Sequence, residues 1–170
     1  APAATPTQSP SSPSTTAGSR ITWQGKQWYL NGANLPWYNW GCDFGCGSGS
    51  GASSAASKAA IESAFSGAKA NGVNVVRWWV FPGDPWQITR DTSGKPTGLN
   101  SAIYADFDAA VALAAKYDIY LDFVLFNAPS AVPQSWLTDS NHRSALATTL
   151  GPLFSRYANN PRVMTWEVFN

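Results

Sequence analysis

Val163-Met164-Thr165-Trp166-Glu167-Val168-Phe169-Asn170 is an apolar run of strand length, and two others like it precede it, Val73 to Val80 and Ile119 to Phe126. Their starts at Val73, Ile119 and Val163 lie 46 and 44 residues apart, the rhythm of successive βα units. Val73 to Val80 is almost continuously apolar, which suits a parallel strand covered on both faces. Between the runs lie helical stretches. Ser101 to Tyr117 carries Ile103, Phe107, Ala110, Val111 and Ala114 on one face, with Ser101 placed as a cap. His142 to Tyr157 carries Leu146, Leu150, Leu153, Phe154 and Tyr157, but Gly151-Pro152 falls inside it. Proline has no N–H for an interior turn, so a kink or a split into two short helices is expected.

Working towards the amino terminus, Ser53 to Ala70 is predicted helical, with Ile61, Ala64, Phe65 and Ala68 on one face and Gly72 to stop it. Gly32 to Trp40 reads as a first strand. Ile21 to Trp23 and Gln27 to Leu30 flank Gln24-Gly25-Lys26 and form a predicted hairpin. Segments after strands are long (Gly41 to Ala52, Phe81 to Asn100, Asn127 to Asn141), whereas those after helices are short, as at Asn71-Gly72 and Asp118. Ligands of parallel α/β folds lie at the carboxyl ends of the strands, so these three loops are expected to build the active face.

Two architectures share this pattern, a (β/α)8 barrel and a doubly wound open sheet. Gly47-Ser48-Gly49-Ser50-Gly51-Ala52 fits the G-x-G-x-x-A of a dinucleotide-binding turn, which favours the second. The connection is far too long for a tight phosphate loop, and the second strand ends in Trp78-Trp79-Val80-Phe81 with no acid for a ribose hydroxyl. A flexible Gly/Ser loop beside a ligand cleft is the plainer expectation.

At 170 residues the chain is short of the roughly 250 of a complete barrel. A net charge of +1 with 12% charged residues gives no field for nucleic acid, and no run of apolar residues is long enough to span a membrane. Residues 1–19 are Ala, Pro, Ser, Thr, Gly and one Gln, a composition unable to bury surface, and are expected to be a disordered linker ahead of a domain over residues 20–170. Beginning on Ala, they suit a mature secreted protein without its signal peptide, or a linker trailing a removed module. Cys42 and Cys46 are expected to form a local disulfide; two free thiols are the alternative, and a single His leaves zinc without ligands.

Trp166-Glu167-Val168-Phe169-Asn170 resembles the fourth barrel strand of the clan of retaining glycoside hydrolases that includes cellulases and mannanases. Leu30-Asn31-Gly32 leading into Ala33-Asn34 is similar to the clan's first hairpin and strand. Val73-Asn74-Val75-Val76-Arg77 is similar to its second strand, and Tyr157-Ala158-Asn159-Asn160-Pro161-Arg162-Val163 to the run from third helix to fourth strand. The resemblance covers Ile21 to Asn170. It implies the amino-terminal half of a (β/α)8 TIM barrel, about four βα units preceded by a β-hairpin. The implied activity is cleavage of a β-linked polysaccharide by an endo-type, retaining double displacement, without metal or organic cofactor. The Cys/Gly loop and the Phe126-Asn127-Ala128 end of the third strand depart from the resemblance and assign the chain to no subfamily, which leaves the polysaccharide and its linkage open.

That chemistry needs two carboxylates about 5 Å apart. In the clan the acid/base Glu directly follows the Asn equivalent to Asn170, and the nucleophile Glu lies later. Neither is in this chain, so its 170 residues alone are expected to be inactive. Glu167 lies mid-strand, deeper than the acid/base position, and is read as pairing with a cation. Arg77, a charge among Val and Trp, is the candidate to brace the nucleophile, with an ion pair to Glu167 as the structural alternative. Asn170 is the candidate partner of a sugar 2-hydroxyl. Trp37, Trp40, Trp79, Trp86 and Trp136 lie at strand ends or in long loops and are, with Asn127, candidate sugar-binding residues, though any of the five rings could instead be core. Trp23, Trp28, Trp78 and Trp166 are assigned to packing. A non-catalytic carbohydrate-binding barrel would keep the aromatics and lose the acids. A separate carbohydrate-binding module elsewhere in the protein is a possible partner of such a domain.

Overall fold

The computed structural model describes residues 21–170, so the linker expected at 1–19 lies outside the described residues. Strands β1 (Ile21–Trp23) and β2 (Lys26–Trp28) form the hairpin, pairing Ile21 with Trp28. Gln24 and Gly25 both take positive φ, 49° and 73°, the two-residue turn that matches strand twist. The hairpin belongs to a compact unit ending at Leu30, and Asn31–Asn170 form a second unit.

The second unit is built on four parallel strands, β3 (Gly32–Leu35), β4 (Val75–Phe81), β7 (Tyr120–Phe126) and β8 (Val163–Phe169), side by side in that order. A separate antiparallel pair, β5 (Ile88–Arg90) and β6 (Pro96–Leu99), lies within the connection after β4. The helices are α1 (Ala55–Ala70), α2 (Ala102–Lys116), α3 (Gln134–Thr138) and α4 (Ser140–Tyr157).

Strand register separates the two architectures. Leu35, Trp78, Phe123 and Trp166 form one row across the sheet, and Asn34, Arg77, Asp122 and Thr165 form the adjacent row, which faces the other way. Phe65 of α1 meets Trp78, Phe107 of α2 meets Phe123 and Trp166, and Phe154 of α4 meets Trp166. All three long helices therefore cover one face. A doubly wound sheet places helices on both faces and reverses its strand order at a switch point; neither occurs here, so the open-sheet alternative is set aside. The sheet is one half of a (β/α)8 wall, helices outside.

Several boundaries differ from the sequence reading. The first strand ends at Leu35 rather than Trp40, because Pro36 follows and the Asp43 carboxylate then takes the N–H groups of Tyr38 and Asn39 at 2.6 and 2.7 Å, away from any sheet ladder. Ser101 makes no cap bond; the Asn100 side chain accepts from Ala102 N at 3.0 Å instead. Helix α4 runs through Pro152 without the split into two short helices that was one of the two expectations there. Its buried face, Leu150, Leu153 and Tyr157, straddles the proline and holds both turns against the core, which offsets one lost hydrogen bond.

The Gly-rich connection of residues 41–52 is not the flexible loop expected from its composition. Phe44 is fully buried, its ring 4.9 Å from Trp78, 4.5 Å from Phe107 and 5.6 Å from Phe123. The buried Asp106 of α2 accepts from Gly45 N, Gly47 N, Ser53 N and Ser53 Oγ at 2.8, 2.9, 2.9 and 2.6 Å. At Gly51 a Cβ would sit 2.2 Å from Asp106 Oδ1, so only glycine lets the backbone approach this closely. Cys42 and Cys46 are disulfide-bonded across the same loop, Cα atoms 5.2 Å apart. The N–H groups that a dinucleotide phosphate would need are thus committed to an internal carboxylate, which removes the nucleotide reading.

Candidate active site

On the face opposite the helices, β4, β7 and β8 each present one ionisable side chain. Arg77 reaches across β7 to Glu167 in a bidentate pair, Nε to Oε1 and Nη2 to Oε2, both 2.6 Å. The geometry is the planar fork in which Arg–carboxylate bonds are strongest. Its Nη1 and Nη2 also donate to Asn170 Oδ1 at 3.2 Å. Asn170 follows directly on β8 and its backbone N–H continues the ladder to Phe126 O at 3.0 Å. With Oδ1 held by Arg77, the Asn170 amide nitrogen is turned away, 3.4 Å from Asn127 Oδ1. Arg77 and Asn170, two positions read from sequence as auxiliary catalytic residues, therefore meet in space, with Asn127 beside them.

Asp122 was not singled out from the sequence. Its Oδ2 lies 3.9 Å from Arg77 Nε, and its carboxyl is within hydrogen-bonding reach of Glu167. Burial pushes Asp122 up to about 7, and the neighbouring Glu167 charge pushes the same way. The Arg77 hydrogen bonds hold Glu167 down, at about 2. Glu167 raises Arg77 further above its ordinary range. Between about pH 2 and 7 the cluster thus carries one cation, one carboxylate and one proton held on Asp122. The missed signal was present in the sequence: an acid inside the apolar Tyr120-Leu121-Asp122-Phe123-Val124-Leu125-Phe126, the same anomaly that marked Arg77.

The aromatic residues divide. Trp37, Trp40 and Trp86 are exposed by 39, 57 and 48%, and Trp37 and Trp40 pack edge to face at 4.5 Å. The Trp40 ring lies against Gly83, where even a Cβ would come to 3.4 Å. Trp79 is not a solvent-facing platform: it is buried, and its ring supports the Arg77 guanidinium at 4.3 Å. Trp136 is also a correction. It belongs to the short α3 and is buried in the core cluster, with Nε1 donating to Gly94 O at 2.9 Å and Arg90 over its ring at 4.9 Å. Of the rings assigned to packing, Trp78 is fully buried and gives Nε1 to Asp43 at 2.8 Å.

The loop acids have structural employment. Asp84 pairs with Arg90 at 2.6 Å, Asp91 accepts from Ser93 and Lys95 around a turn, and Asp139 caps α4 through Asn141 N and His142 N. Among the described residues no group of three or more His, Cys, Asp or Glu side chains could hold a metal ion, and no helix is long and apolar enough to cross a membrane.

No protein-family model matches the chain. A mannan endo-1,4-beta-mannosidase of Cryptopygus antarcticus is 27% identical over 160 residues, and that of Mytilus edulis is 26% identical over 162. Each match takes in 91% of this chain but only 41 and 42% of the relative, so the chain spans about two fifths of their length. The crystal structure of the Cryptopygus antarcticus beta-1,4-D-mannanase superposes with a TM-score of 0.76 at 26% identity, over 90% of this chain and 42% of that one. The Mytilus edulis beta-mannanase gives 0.78 at 24% identity, over 89 and 43%, a likeness of fold. In sequence and in fold the chain is therefore similar to the amino-terminal half of mannanase-like glycoside hydrolases, whose (β/α)8 barrel its strand order and one-sided helices follow.

Proposed function

We propose that these residues form the first half of the catalytic barrel of a secreted, retaining endo-β-1,4-mannanase-like hydrolase. The observation that carries the reading is the Arg77–Asn170 contact at the carboxyl end of β8, reinforced by the Arg77–Glu167 fork. With its carbonyl oxygen taken by Arg77 and one amide hydrogen directed to Asn127 Oδ1 at 3.4 Å, Asn170 keeps its second amide N–H to hold a sugar 2-hydroxyl while positive charge develops at the anomeric carbon. The acid/base Glu belongs directly after Asn170. The nucleophile Glu belongs on a later strand, within reach of the Arg77 side of the cluster. Exposed Trp37, Trp40 and Trp86 suit the apolar faces of pyranose rings.

The test is the full-length protein on a β-1,4-mannan, followed by release of reducing ends and by the anomeric configuration of the first product. Endo cleavage with retention is expected, and residues 1–170 alone should release nothing above background. Tight binding of mannan without cleavage by the full-length protein would instead identify a carbohydrate-binding barrel, the reading in which the acid after Asn170 is absent.

A further inference from the structure

One arginine faces two acids in this cluster, and only one acid is satisfied by it. Glu167 receives both arms of the guanidinium at 2.6 Å, while Asp122 stands off at 3.9 Å from Nε. No described residue donates to Asp122 Oδ1, which is buried. The other carboxyl held at the same guanidinium is that of Glu167, itself an acceptor. Two carboxylates in contact form a bond only when one carries a proton, and a buried oxygen without a donor is costly.

We propose that Asp122 is a protonated positioning residue, donating to Glu167 and so fixing the Arg77 fork in the one orientation that leaves Nη1 and Nη2 against Asn170. Every described charged or titratable neighbour enters this account. From β4 comes Arg77 and from β8 Glu167; β3 contributes only the neutral Asn34 beside Arg77. Tyr120, two residues earlier on β7, lies under Arg162 at 5.3 Å, and Arg162 is engaged by Asp118 at 2.6 Å. Loss of the proton places a second negative charge beside Glu167 and draws the guanidinium towards Asp122. Asn170 then loses the contact that sets its amide, although Asp122 never touches substrate.

The inference rests on the hydrolase reading for its consequence in rate, but not for its proton. In the full-length protein Asp122→Leu removes the donor, and kcat on mannan should fall about ten- to a hundredfold with KM little changed, the scale of a misplaced catalytic group. Asp122→Asn supplies a neutral N–H donor of the same shape and should restore kcat to within about threefold of wild type at pH 5. Wild type should lose rate as pH rises through about 7, and Asp122→Asn should not. Equal losses in the Asn and Leu variants, or an unchanged alkaline limb in Asp122→Asn, would overturn the proposal. The activity-free readout is the carbon-13 shift of the Asp122 carboxyl, assigned by its disappearance in Asp122→Asn. Titration near neutrality supports the inference even if the protein cleaves no mannan, and titration in the ordinary aspartate range sinks it even if it does.

Discussion

Asp106 and Asp122 are both aspartates withdrawn from water in the same half-barrel, and they are treated in opposite ways. Asp106 is fully buried, is in no ion pair among the described residues, and accepts four hydrogen bonds from the residue 45–53 loop. Asp122, with 13% of its side chain exposed, has a guanidinium within 4 Å yet no donor on its buried oxygen. Proximity of a positive charge is thus a poor guide to whether a buried acid is satisfied. Oriented N–H and O–H groups make Asp106 a fixed acceptor that organises a loop. Their absence, with Glu167 holding the arginine, leaves Asp122 able to bind and release a proton near neutrality.

The contrast is broken most directly at Asp106. Asp106→Asn keeps the shape but turns a donor group towards Gly45 N and Gly47 N, leaving buried N–H groups unpaired. We expect a loss of about 3–5 kcal/mol in stability, together with release of Phe44 from its aromatic pocket, read by chemical denaturation of the full-length protein. A change under about 1 kcal/mol would mean that the loop holds itself and that the carboxylate is incidental.

At Asp122 the effect is smaller and changes with pH. Its folded value is raised to about 7 from 3.8, so between those values the folded protein holds a proton that the unfolded chain has released. Stability from this group is therefore lost as pH rises from about 4 to 7. Glu167, held at about 2, works the other way, adding stability above about 4.5 that is lost as pH falls towards 2. Denaturation midpoints should peak near pH 4 to 5. Asp122→Asn should flatten the neutral side and leave the acid side intact; a neutral slope that survives the substitution belongs to some other group.

The sheet was legible because its strands are long, apolar and regularly spaced, and the helices because their apolar faces repeat at helical period. The short pieces were not. Ile88-Thr89-Arg90 offers three residues, too few for a strand signal, and α3 offers five behind Pro133, so Trp136 reads as a loop aromatic although it is core. Loop order was illegible for a different reason. Gly45 and Gly47 look permissive locally, and the carboxylate that fixes them is 61 and 59 residues away. The Arg77–Glu167 pair was readable because a charge inside an apolar strand is costly unless paired; Asp122 is a charge in the same setting and needed only the same question.

The third way to sharpen the comparison is a region where no buried charge is at stake. Trp40 is more than half exposed, packs its edge on Trp37 at 4.5 Å, and leads into the loop that Asp43 and Asp106 hold rigid. A ring fixed in that way loses little entropy on meeting a sugar, so its contribution belongs to binding rather than to folding. In the full-length protein Trp40→Ala should weaken oligosaccharide binding by about 1–3 kcal/mol, with a denaturation midpoint close to wild type. Asp106→Asn should reproduce part of that binding loss without touching a ring, because it frees the loop on which the ring stands. Trp40→Ala with normal affinity and a lowered midpoint would show the indole to be a support for Trp37 and Gly83, and would move the sugar platform elsewhere on this face.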